Sequence, residues 1–159
     1  KGLTNATIPM GATVVQDYIY ESMLENADAP IELFHGYTYS GHPVACAAAL
    51  ATLDIYKEEG LFEHAGEQAP KIEKAAHSLK GTKHIVDIRN LGVIAALELE
   101  PRGNAVGARG FEVMKKSWDM GLMVRANGDT LAFSPPLIVS DAQIDEMFTT
   151  VKSALEQVD

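Results

Sequence analysis

Near residue 83 the spacing of the apolar residues changes from helical to alternating, and this change limits the fold more than any other feature. Val93, Ala95, Leu97 and Leu99 alternate with Ile94, Ala96, Glu98 and Glu100. Successive strand side chains point to opposite faces, so the spacing predicts a strand with one face that turns polar towards its end. His84–Arg89 is its expected hairpin partner, with Asn90-Leu91-Gly92 between them. Leu122–Arg125 and Thr130–Ser134 flank Asn127-Gly128, a dipeptide that tolerates the positive φ angles of a tight hairpin. Pro135-Pro136 stops the second strand. Phe111, Met114 and Trp118 fall at i, i+3 and i+7, the period of a helix, which Gly121 closes. Ser140 with Gln143 three residues on reads as a capping box. Behind it Ile144, Met147, Phe148, Val151, Leu155 and Val158 form one continuous apolar stripe. The resulting order, β-β-α-β-β-α, predicts an α/β unit: a small sheet with helices on one face.

The first half reads differently. Residues 12–15 suit a short strand, and 17–26 a short helix with Asp17 as its N-cap. Ala27-Asp28-Ala29-Pro30 breaks that helix. A loop rich in glycine and hydroxyl side chains follows, from Phe34 to His42. Pro43 opens an alanine-rich helix to Glu59, with Gly60 at the position favoured by glycine after a helix end. Residues 61–80 are again helical, and Pro70 either kinks that helix or begins a second. The chain opens Lys1-Gly2-Leu3-Thr4 with no Met, and is expected to be a piece of a longer polypeptide. Its expected parts are a remnant of a larger domain over 1–42, and a connecting helix with a C-terminal small domain over 43–159.

Composition narrows the function classes. Thirteen Lys and Arg against 22 Asp and Glu give a formal charge of −9. Such a surface repels phosphates, which argues against nucleic acid or an anionic membrane as the main partner. No apolar run approaches the roughly 20 residues that span a bilayer. With one cysteine, Cys46, no intrachain disulfide can form, and the expected compartment is the cytoplasm. The five histidines lack metal-ligand spacing, so no metal site is expected within the segment. Cys46 reads as a small apolar helix residue. Glu58-Glu59 and Glu98/Glu100 read as solvated faces.

Three places are candidates for chemistry. The loop before Pro43 offers the hydroxyls of Thr38, Tyr39 and Ser40 and the backbone of Gly36 and Gly41 at a helix N-terminus, where a phosphate can be held. It also reads as an ordinary helix start with hydroxyl caps. Arg125, at a strand end, can clamp a carboxylate in bidentate fashion. Alternatively it forms a surface ion pair with Asp129 or another acid. Lys1 has no role on physical grounds alone.

The segment Lys1-Gly2-Leu3-Thr4-Asn5-Ala6-Thr7-Ile8-Pro9-Met10-Gly11-Ala12 resembles the cofactor-lysine segment of class III aminotransferases, fold-type I enzymes that depend on pyridoxal phosphate (PLP). His35-Gly36-Tyr37-Thr38-Tyr39-Ser40-Gly41-His42-Pro43-Val44-Ala45-Cys46-Ala47-Ala48-Ala49 resembles the family's second signature. Arg89-Asn90-Leu91-Gly92 and Gly121-Leu122-Met123-Val124-Arg125 resemble its small-domain motifs. The four stand in the family's order and span nearly the whole chain. The histidine-flanked form of the loop is most similar to the β-alanine (ω-amino acid):pyruvate transaminases.

The resemblance implies roles. Lys1 aligns with the lysine that holds PLP covalently and moves protons during catalysis. Thr38 aligns with the threonine that reaches the PLP phosphate of the partner subunit, and Tyr37 lines the same site. Arg125 aligns with a mobile arginine that binds the substrate carboxylate. The fold implied is the tail of the large PLP domain followed by the small α/β domain. The reaction implied passes an amino group from an ω-amino acid or amine to pyruvate, in a homodimer with interfacial active sites. The family's acid beneath the pyridine nitrogen, its stacking aromatic ring and its main phosphate loop have no counterpart in these residues, so the segment alone is expected to be inactive. The alternative is a non-catalytic module that binds amino acids or a partner. About 250–300 residues ahead of Lys1, the size of a second, larger domain, would decide for the enzyme.

Overall fold

Ser140 and Gln143 form the reciprocal capping box expected of them, and the last helix starts where they place it. The computed structural model describes residues 1–28, 30 and 35–159. They form two compact units, Lys1–Glu59 and Gly60–Asp159.

In the second unit, α3 (Leu61–His77), α4 (Ala108–Asp119) and α5 (Asp141–Glu156) accompany β1 (Ile85–Leu91), β2 (Ile94–Leu99), β3 (Arg125–Asn127) and β4 (Thr130–Phe133). The strands make one antiparallel sheet in the order β1-β2-β4-β3. Alternation along β2 buries Ala95, Leu97 and Leu99. Pairing places Phe133 opposite Ala95 and Leu131 opposite Leu97, on the same face. Ile72 and Ala76 of α3, Val113 of α4, and Ile144, Phe148, Val151 and Leu155 of α5 complete that core. The rings of Phe133 and Phe148 lie 5.0 Å apart between centroids. Truncating a side chain as enclosed as Leu97 to alanine costs about 2–5 kcal/mol in such a core.

Several local expectations shift. β1 runs on through Asn90 and Leu91, so the hairpin turn is Gly92-Val93, with Gly92 at φ 56°. His77 bonds the Asn90 side chain at 2.9 Å, which gives that polar residue a partner within the strand. Arg125 starts β3; it does not end a strand over 122–125. The reason lies in its partner: β4 stops at Phe133, and the two prolines beyond Ser134 have no N–H to offer. The second hairpin turn is Gly128-Asp129, because Asn127 pairs with Thr130. Pro70 neither ends nor divides its helix, since α3 is a single element. The fully buried Ile72 and Ala76 hold the segment to the sheet despite the lost backbone donor. In α4, Phe111 and Trp118 are exposed, at 52% and 64%, while Gly110, Val113 and Ser117 face inward. A Cβ on Gly110 would sit 2.3 Å from the Gly128 carbonyl oxygen, so the inner stripe must begin with glycine.

The first unit holds a 3₁₀ turn (Gly2–Thr4), α1 (Asp17–Glu25) and α2 (Pro43–Glu58). The helix assigned on sequence to the C-terminal part, α2, belongs to this unit and packs on the 3₁₀ turn. Residues 12–15 are not a strand. Val14 is 95% exposed, and among the described residues of the unit no strand is present to pair with it. Gln16, not Asp17, is the N-cap of α1; Asp17 opens the first turn, where its charge suits the helix dipole. Ala29 and Phe34, named in the helix break and the loop, lie outside the described residues.

One titration follows from the core's edge. His84 Nε2 lies 3.2 Å from the carbonyl oxygen of Val158 and donates to it. Burial, with the positive charge of Arg109, lowers its pKa below the ordinary 6.5. The folded state therefore favours the neutral ring. Its contribution to stability is complete above pH 6.5 and is lost as pH falls through the lowered value. Denaturant midpoints between pH 8 and pH 5 are expected to fall on acidification, and to fall less in His84→Gln. An equal slope in the two proteins would remove His84 as the cause.

Candidate active site

The residues singled out on sequence divide between the units. Lys1, Tyr37 and Thr38 lie in the first, and Arg125 in the second.

Lys1 stands at the head of a tightly braced turn. Its carbonyl accepts the N–H of Ala6 at 2.8 Å. Asn5 and Ala6 both adopt left-handed conformations, at φ 48° and 57°. A left-handed conformation costs a residue with a Cβ about 1–2 kcal/mol, so other contacts must hold the turn. Two such contacts are present. The Thr4 hydroxyl, in a residue 1% exposed, donates to the Ile8 carbonyl at 2.6 Å. Tyr56 Oη, on α2, donates to the Gly2 carbonyl at 2.8 Å. The Lys1 side chain is exposed, and among the described residues no carboxylate pairs with it. Thr4 and Tyr56 escaped the sequence reading, because the strain they offset has no signature in residue type.

In the loop before α2, the Ser40 N–H bonds the Tyr37 carbonyl at 2.9 Å. The helix cap is His42, whose Nδ1 accepts the Ala45 N–H at 3.4 Å, with Pro43 in the first turn. The hydroxyls expected as caps do not serve. Among the described residues, the hydroxyl and N–H of Thr38 form no hydrogen bond, and both are free for an acceptor from elsewhere. Tyr37 is half-exposed and meets the His35 ring edge-on at 5.5 Å.

Arg125 faces the side of the sheet away from the helices, since its neighbour Ala126 packs into the core. Register sets a row across all four strands: Arg125, Ala132, Ala96 and Arg89. The two arginines end the row in different states. Arg89 holds Asp87 at 2.6 Å and Glu98 at 2.5 Å, and these carboxylates raise its pKa further. Among the described residues no acid pairs with Arg125. Asp129, its suggested partner, is turned inward and bound to the N–H groups of Gly107 and Gly110. Beside Arg125 runs a groove of about 610 Å³, whose walls join the apolar Met123, Val124, Pro136 and Met147 to the polar Gln143 and Glu146. A cation at the rim of such a groove suits a small molecule with a carboxylate at one end.

The chain matches the class-III aminotransferase family over residues 1–155, and it belongs to that family. It is 52% identical over 159 residues to an omega-aminotransferase of Caulobacter vibrioides, covering 100% of this chain and 36% of the relative. To a beta-alanine–pyruvate aminotransferase of Pseudomonas aeruginosa it is 41% identical, over 99% of this chain and 36% of the relative. A solved transaminase with L-Ala superimposes with a TM-score of 0.88 at 32% identity, over 98% of this chain and 38% of the other. The chain thus spans about a third of the length of these relatives, and its fold matches the C-terminal part of fold-type I transaminases. The family uses PLP. Two observations suit that group: an unpaired amine on Lys1, and two unspent donors on Thr38.

Proposed function

We propose that the longer polypeptide containing this chain transfers an amino group from an ω-amino acid, such as β-alanine, to pyruvate. The observation that carries this reading is the unpaired Arg125 at the rim of its groove. The relative named for β-alanine and pyruvate supports the substrate pair.

PLP, when bound, supplies an electron sink that stabilises negative charge at the substrate carbon bearing the nitrogen. Lys1 would hold it through Nζ. Lys1 Nζ would also serve as the base that takes the proton from that carbon, a task that suits an amine held close to the reacting atom. Thr38 would offer its hydroxyl and N–H to the cofactor phosphate. Arg125 grips the carboxylate of pyruvate or of the amino acid through two parallel hydrogen bonds and so orients the reacting end. For an amine without a carboxylate the guanidinium turns to solvent, which costs little on an exposed strand. The acid, stacking ring and main phosphate loop required by the family come from outside these residues, so the segment alone is inactive. We also infer a homodimer whose active sites use both subunits, with Thr38 reaching the partner's cofactor.

Three substitutions in the holoenzyme test this reading. Lys1→Ala is expected to abolish the absorbance of lysine-bound cofactor and to cut turnover by orders of magnitude; a normal spectrum and rate would exclude the assignment. Thr38→Ala is expected to weaken PLP binding by about 1.5–3 kcal/mol, the range for a hydrogen bond to a charged group, with the backbone N–H still in place. An unchanged dissociation constant would leave the loop as a helix start only. Arg125→Ala is expected to lower kcat/KM for pyruvate and β-alanine by about 2–4 kcal/mol and to spare the half-reaction of a carboxylate-free amine. Single-turnover rates separate these cases, and equal losses for both substrate types would make Arg125 a structural residue.

A further inference from the structure

Asp129 is a buried acid without a cation. It is 7% exposed, and among the described residues no Lys, Arg or His forms an ion pair with it. Its Oδ2 instead accepts the N–H of Gly107 at 2.6 Å, and its Oδ1 the N–H of Gly110 at 3.0 Å. These are first-turn amides of α4, which lack partners within the helix. Gly107, the N-cap, has no side chain with which to bond them. An acid from the β3–β4 turn therefore caps α4 from outside, where the helix dipole favours negative charge.

The same residue binds the sheet. Its backbone carbonyl accepts the N–H of Leu99, in β2, at 2.9 Å. There is little slack at the joint. A Cβ on Gly110 would lie 2.9 Å from the Asp129 Cα, and one on Gly107 would lie 3.4 Å from the Gly128 Cα. Strand β3 has only three residues and pairs on one side only, with β4. Such an edge strand has few bonds of its own to fix its position. It is tied to α4 at both ends instead: Asp129 binds the first turn of the helix, and the Leu122 N–H bonds the Ser117 carbonyl near its last turn at 2.8 Å. Arg125 lies between these two ties.

We propose that Asp129 is a positioning residue for Arg125. By clamping the β3–β4 turn to the amides of α4 it holds the short edge strand in register, and so sets where the guanidinium meets a substrate carboxylate. The proposal rests on the carboxylate-binding reading of Arg125 above. A purely structural cap would affect every substrate alike. A positioning residue affects carboxylate substrates alone, because only they use Arg125.

The test uses the PLP-loaded holoenzyme with Asp129→Asn, which keeps the size but sets an NH₂ against one of the amides. Propionate, a carboxylate that cannot react, is titrated by calorimetry, and single-turnover rates are measured with β-alanine and with benzylamine. Propionate affinity and the β-alanine rate are expected to fall about ten- to a hundredfold, the scale on which a small misplacement acts, with benzylamine within about twofold. In an Arg125→Ala background the Asn change is expected to have no further effect on propionate. Unchanged propionate affinity, or equal losses with β-alanine and benzylamine, would overturn the proposal. Should Asp129→Asn not fold, Asp129→Ser, which keeps one acceptor, is held to the same two criteria. If Arg125→Ala itself leaves propionate binding unchanged, the underlying reading of Arg125 fails and this proposal falls with it. If only the Asp129 variants are silent, the reading of Arg125 stands and this proposal alone is overturned.

Discussion

The parity of a strand decides which residues of the second unit face solvent. Ala126 and Leu131 oppose each other and both pack into the core, so Arg125 and Ala132 must share the opposite face. Sliding β3 by one residue would bury the guanidinium and expose Ala126. Charge burial of that kind costs several kcal/mol, far more than the burial of one alanine methyl group returns. The core therefore sets the face of Arg125 before any ligand is considered. The same parity puts Ala96 and Ala132 between the two arginines of the row, so the residues directly between them carry only methyl groups.

What was legible in the sequence was periodic or purely local. The stripe and capping box of α5, the alternation of β2 and the β-β-α-β-β-α order each follow from residue type and spacing over a few turns. Features set by a distant neighbour were not legible. A strand needs a partner, and residues 12–15 have none among the described residues of their unit. The inner face of α4 begins at Gly110 because the Gly128 backbone crosses it, 18 residues away in sequence (128 − 110), and no helical period contains that fact. Both hairpin turns fall later than expected because pairing fixes where each strand stops.

The candidate site shows the same division. Motif resemblance singled out Lys1, Tyr37, Thr38 and Arg125, which stand in the cofactor-lysine segment, the second signature and a small-domain motif. It did not find the residues that hold them. Asp129 follows Asn-Gly and reads as a partner for Arg125, because the groups it binds are backbone amides. Those amides are the same for every residue type, so no sequence pattern marks them. Tyr56 is similarly hidden, since it acts on the carbonyl of Gly2 from 54 positions away.

Among the described residues Arg125 is the one arginine of four whose side chain makes neither an ion pair nor a hydrogen bond. With 22 Asp and Glu against 13 Lys and Arg, carboxylates are plentiful, and Arg89 on the same face takes two of them. An exposed ion pair adds only about 0–1 kcal/mol, so leaving Arg125 unpaired costs the fold little. For a ligand the balance differs. A carboxylate that must first displace a resident acid gains only the difference between two similar pairs. One that meets an open guanidinium keeps the whole interaction. Turning Asp129 inward to the amides of α4 serves this balance twice, because it braces the strand and commits the carboxylate of the adjoining turn elsewhere.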